Sequence, residues 1–98
     1  MMVTVFRARA RAEAVPELTQ SGKRMYELAS AMPGFVSYKD YVAEDGEGVS
    51  IVEFDTAEHL AAWREHPEHR QVQARAREAL LESYRVQVCR LEREATFP

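Results

Sequence analysis

An α+β fold with its elements in the order βαββαβ is predicted by three features of this 98-residue chain. Four segments alternate apolar with polar residues or concentrate β-branched and aromatic ones. Two others repeat their apolar residues at helical spacing, and Gly, Pro and Asp gather in the joints between segments. With 46% hydrophobic residues there is enough material for a core, but 98 residues are too few for two, so residues 1–98 are expected to form a single domain.

The first segment, Met2 to Arg11, sets Val3, Val5, Arg7 and Arg9 on one parity and Met2, Thr4, Phe6 and Ala8 on the other, the pattern of a strand. Pro16 and Glu17 suit a helix entry: the proline ring presets φ where no N–H is needed, and the carboxylate meets the positive end of the helix dipole. Leu18, Met25, Leu28, Ala29 and Met32 then share one helical face, and Pro33-Gly34 stops the helix. Phe35 to Ala43 is rich in aromatic and β-branched residues. Glu44-Asp45-Gly46-Glu47-Gly48 offers the positive-φ positions of a tight hairpin, which makes Val49 to Phe54 the return strand.

Asp55 and Glu58 have capping-box spacing at the mouth of the second helix, anchored by Leu60 and Trp63. His66-Pro67 interrupts it, because proline removes a backbone donor and pushes the preceding residue out of the helical region. The helix is expected to kink or restart there and to continue through Leu81. A last strand from about Ser83 to Glu92 turns Tyr84, Val86 and Val88 one way and Cys89 and Leu91 the other. The tail Ala95 to Pro98 is expected to fray.

This order fits the ferredoxin-like plan: a four-stranded antiparallel sheet with two helices on one face, joined by right-handed crossovers. Such a sheet should alternate cleanly if its other face were wet, yet both parities carry apolar residues, for example Val5 against Phe6 and Ile51 against Val52. Two helices cover one face only, so the other is expected to be covered by a second copy, forming a two-fold homodimer through the sheet.

Thirteen basic and sixteen acidic residues are mixed along the chain, net charge −3, which leaves no electropositive face and makes nucleic acid an unexpected partner. The single Cys89 cannot form an internal disulfide and fits a reducing compartment. No apolar run approaches the roughly 18 residues of a membrane helix, and Met1-Met2-Val3 leads into alternating Arg and Ala, so a cytoplasmic protein without membrane association is expected.

Chemistry-bearing residues concentrate in His59-Leu60-Ala61-Ala62-Trp63-Arg64-Glu65-His66-Pro67-Glu68-His69, which holds all three histidines and the only tryptophan. His59 and Trp63 are i and i+4 on one helical face, and His69 shares a later stripe with Val72 and Ala76 that points toward the sheet. One reading is a base or donor, His59 or His69, beside an aromatic wall, Trp63, where the kink opens a gap. The other is a packed tryptophan with satisfied core or surface histidines.

His66 and His69 at i, i+3 could share a metal ion, but Glu65 and Glu68 fall to the other side of the helix and no third ligand is evident, so no metal site is assigned. There is no GxGxxG, phosphate loop or CxxC, and no serine sits in a nucleophile elbow. Tyr38, Tyr41, Tyr26 and Tyr84 could lend phenols to a pocket, although half-buried strand tyrosines usually just pack.

Several of these stretches together resemble the antibiotic biosynthesis monooxygenase domain family. They are Met32-Pro33-Gly34-Phe35-Val36-Ser37, Glu44-Asp45-Gly46-Glu47, Ile51-Val52-Glu53-Phe54, Trp63-Arg64-Glu65-His66-Pro67-Glu68-His69 and Tyr84-Arg85-Val86-Gln87-Val88. The resemblance spans nearly the whole chain. It implies a dimeric α/β barrel and, for some members, oxidation of electron-rich phenols or anthrones to quinones by dioxygen with no cofactor.

In that chemistry a deprotonated substrate passes an electron to dioxygen itself, so the protein supplies a base, an apolar pocket and donors for the developing oxyanion. In such chemistry His69, Trp63 and Arg85 could be base, wall and donor, and His59, His66 and Tyr38 are further substrate-binding candidates from the residues themselves. Quinone-forming members typically carry an asparagine one turn before the tryptophan and a tyrosine about two turns after it; here those places hold His59 and His69. The haem-degrading branch relies on an asparagine in the first strand, and this chain contains none, which argues against haem degradation.

The leading expectation is a monooxygenase acting on a small aromatic or polyketide-type compound. The alternatives are a small-molecule binding protein without turnover, and an isomerase or epimerase of a small oxygenated metabolite.

Overall fold

Strand β1 (Met2–Ala10) runs through the interior of the sheet in the computed structural model, which describes all residues from Met1 to Pro98. It is followed by a 3-10 turn at Ala12–Ala14 and helix α1 (Val15–Ser30), then the hairpin β2 (Phe35–Val42) and β3 (Gly48–Phe54). Helices α2 (Ala57–Arg64) and α3 (Pro67–Arg75) come next, with a π turn (Ala76–Leu80) leading into β4 (Leu81–Arg90). The strands lie in the order β2-β3-β1-β4, every neighbouring pair antiparallel, as the ferredoxin-like plan requires. No helix is long and apolar enough to cross a membrane.

Register assigns the two faces. Thr4 stands between Val52 and Val88, Phe6 between Ser50 and Val86, and Ala8 between Gly48 and Tyr84. This parity faces the helices, because Val52 and Phe54 are buried against Met25 and Ala29 of α1 and Leu60 and Trp63 of α2. The opposite parity forms the outer face: Val5 lies between Ile51 and Gln87, and Arg7 between Val49 and Arg85. No helix covers it, and Tyr41 there is 52% exposed.

In the hairpin positive φ falls at Gly46 (φ 89°) alone, Gly48 being an ordinary strand residue, and a second positive φ occurs at Gly34 (φ 81°) after the helix stop. At Gly34 a side chain would also collide with Asp55 and His59, so this turn requires glycine twice over.

Of the two outcomes expected at Pro67, a kink or a restart, the helix restarts: α2 ends at Arg64, and His66 takes extended backbone angles (φ −57°, ψ 128°), as a residue before proline prefers. The N-cap of α2 is Thr56, whose Oγ1 accepts the His59 N–H at 3.1 Å, and not Asp55. Asp55 instead accepts the His59 Nδ1–H at 2.6 Å. Regular helix also stops at Arg75, short of Leu81. The Leu81 N–H reaches back five residues to the Ala76 carbonyl, and β4 begins two residues earlier than the sequence suggests.

Candidate active site

Between the helix-facing side of the sheet and the underside of α1 and α3 lies a cleft of about 490 Å³, within the range that holds small organic ligands. Phe6, Val52, Val86 and Val88 line it from the sheet, Leu18 and Met25 from α1. Tyr84, Val86 and Val88 are close to half exposed because the helices sit over the other strands and leave this side of β4 uncovered.

His69, in the first turns of α3, lines this cleft and is half-buried. Its ring stacks on the Trp63 indole, centroids 4.1 Å apart and planes within 12°. Its Nδ1 is 3.1 Å from the Trp63 carbonyl oxygen. A carbonyl can only accept, so Nδ1 carries the proton, and Nε2 of the neutral ring holds a lone pair. Burial lowers the His69 pKa below the ordinary histidine value; the hydrogen bond to Trp63 works against that, and the nearby His66 adds to it. At neutral pH His69 is therefore an uncharged base held in one tautomer and one orientation.

Trp63 is 4% exposed and packs in the core with Met25, Ala29, Val52, Phe54 and Leu60. One face of its ring is taken by His69, so its main contribution is a shelf for the imidazole. The two sequence readings of this tryptophan, core and site, describe one residue.

Tyr38 also lines the cleft, from β2, with burial pushing its pKa up to about 12; the charge of Asp40 adds to this and Ser50 opposes it. Its phenol is thus a protonated donor at neutral pH. Beside it the Ser50 hydroxyl donates to Asp40 Oδ1. Thr4 brings a third hydroxyl to the floor, fully covered and without a hydrogen-bond partner.

Three predicted site residues thus come together: His69, Trp63 and Tyr38. The other three lie outside the lining. His59 is tied to Asp55 on the outer side of α2, lowering the Asp55 pKa through that hydrogen bond. His66 uses Nδ1 to accept the Glu68 N–H at 3.1 Å, capping α3. Arg85 shares the parity of Arg7 on the outer face, so it cannot serve as a donor to this cleft in one chain. No three side chains of His, Cys, Asp or Glu converge as a metal-ligand set.

Thr4, Asp40 and Ser50 were not singled out from sequence. A usable signal existed: Thr4 and Ser50 are polar residues on parities otherwise held by Phe6, Ala8, Val52 and Phe54.

The two-layer α+β domain thus holds a neutral histidine in an apolar cleft of a size that suits a small organic ligand. The sequence places it more closely. A family model, Antibiotic biosynthesis monooxygenase, matches residues 1–75, and the chain belongs to that family.

It is 31% identical to the uncharacterized protein YqjZ of Bacillus subtilis (strain 168) over 78 residues, 80% of this chain and 68% of that one. Among solved structures it is similar to Rv0793 from Mycobacterium tuberculosis, with a TM-score of 0.86 and 25% identity over 97% of this chain and 98% of that one. The fold is also shared with a single-site mutant of SnoaB, a cofactor-independent oxygenase from Streptomyces nogalater. There the TM-score is 0.82 and the identity 17%, over 95% and 94% of the two chains.

Proposed function

We propose that this protein is a cofactor-independent monooxygenase that oxidises a small aromatic or polyketide-type phenol or anthrone to a quinone with dioxygen. The observation that carries the reading is His69: neutral, fixed in its Nδ1–H tautomer by the Trp63 carbonyl, and lining an apolar cleft. Family membership and the shared fold with an oxygenase support it.

The chemistry follows from these groups. His69 Nε2 takes a proton from the substrate's activated CH2 or phenol, and the Tyr38 hydroxyl donates to the oxygen on which negative charge develops. The carbanion passes one electron to dioxygen, giving a substrate radical and superoxide. These combine through a C–O bond, and the protonated hydroperoxide loses water to leave a carbonyl. The balance is one CH2 and one O2 to one C=O and one H2O, with the substrate supplying all the electrons. Trp63 acts as a positioning residue for His69.

We also propose that two copies associate through their outer sheet faces, where Val3, Val5, Val49, Ile51 and Tyr41 otherwise remain without a partner layer.

Oxygen uptake with a panel of anthrones and hydroquinones tests the function. His69→Ala is expected to lower the rate by about 10²- to 10⁴-fold, the usual contribution of a general base, with the far-ultraviolet circular dichroism unchanged. Equal rates in the wild type and a His69→Ala, Trp63→Phe double variant sink the proposal.

A further inference from the structure

Gly22 stands in the middle of α1, where glycine costs helix stability relative to alanine. The fold gives no reason for it. Its φ is not in the left-handed region, and a Cβ placed on it would meet nothing within 4 Å. Gly34 and Gly46, by contrast, occupy positive-φ turns.

Position decides what Gly22 does. Besides the cleft there is a second concavity, a groove of about 570 Å³ that also borders Lys23 and Tyr26. Leu18, Gly22 and Asp40 line both spaces, so cleft and groove meet in the gap between α1 and β2. Gly22 keeps that gap clear on the helix side. On the strand side Asp40 Oδ1 already holds the Ser50 hydroxyl, and no protein hydrogen bond occupies Oδ2.

We propose that Gly22 is a specificity-determining position: the space beside it admits a substituent of the substrate, which extends from the cleft past α1 and donates a hydroxyl to Asp40. The ligand class is then a fused-ring aromatic carrying a hydroxyalkyl arm. This rests on reading the cleft as the substrate site, but its test is separable from turnover.

Two probes are compared, anthrone and the same anthrone bearing a hydroxyalkyl arm, with affinity read from quenching of Trp63, the only tryptophan. The wild type is expected to favour the arm-bearing compound. Gly22→Leu is expected to shift the ratio of the two dissociation constants at least tenfold toward plain anthrone while raising the melting temperature by several degrees, because leucine is the better helix former. Asp40→Asn is expected to reduce the preference without that thermal gain. An unchanged ratio in Gly22→Leu overturns the proposal, as does wild type that quenches with neither compound. Oxygen uptake measured alongside separates the two ideas: an arm-dependent ratio without uptake keeps the specificity site and removes the monooxygenase.

Discussion

His69 is the residue on which the site's pH behaviour turns. Its folded pKa lies below the ordinary histidine value, chiefly through burial, and the neutral form is the one that can act as a base. Activity is therefore expected to be flat above about pH 6.5 and to fall at lower pH, with a midpoint below the usual histidine value; a pH–rate profile checks this. Stability moves the same way. Between the unfolded and folded pKa values the unfolded chain binds more protons, so the contribution of His69 is complete above the unfolded pKa and is lost as pH falls through the folded one.

Sequence spacing alone put His69 toward the sheet, because it shares a stripe with Val72 and Ala76. The same parity logic already placed Arg85 opposite Val86, and the structure follows the parity. Roles carried over by resemblance survive only where local geometry agrees.

Helices α1 and α3 are joined by two crossed ion pairs. Arg24 of α1 donates Nε and one terminal nitrogen to Glu68 at 2.6 and 3.0 Å, and Arg75 of α3 donates in the same two-pronged manner to Glu17 at 3.0 and 3.0 Å. Both carboxyl pKa values are lowered, first by those hydrogen bonds, and all four groups are solvent-screened. Glu17 and Arg24 on one helix, Glu68 and Arg75 on the other, are each seven residues apart, two turns, so the clasps close at both ends of the cleft's roof.

Bidentate geometry makes them effective, and exposure makes them sensitive to salt. Hydrogen exchange in α3 is expected to rise with ionic strength in the wild type and to be fast and salt-independent in an Arg24→Gln, Arg75→Gln double variant. Neither clasp was legible beforehand, since each joins positions more than forty residues apart. The break at Pro67 was legible because its cause lies within two residues, while the early end of α3 depends on where β4 must pair.

At the scale of the whole molecule, the chain exposes 6900 Å², against about 5,700 Å² for a folded monomer of 11.2 kDa. Only nine of 98 residues are buried, and the excess is spread over the cleft, the outer sheet face and the exposed tail from Glu92 to Pro98.

Light scattering is expected to give twice the chain mass, and paired Val5→Lys, Ile51→Lys substitutions, neighbours across β1 and β3, to give the monomer. A monomeric wild type removes the dimer proposal. That both sheet faces are apolar could be read from parity counts. Which face holds the cleft could not, because it depends on where α2 and α3 settle.

The π turn at Ala76–Leu80 gives the architecture evolutionary slack. It holds one residue more than an α turn closing the same loop. Because the extra residue is confined to this turn, a single-codon deletion there closes it as an ordinary α turn and leaves β4 in phase, with Tyr84, Val86 and Val88 still toward the cleft. The loop thus carries one residue of slack, and length changes there are buffered before they reach the lining of the cleft.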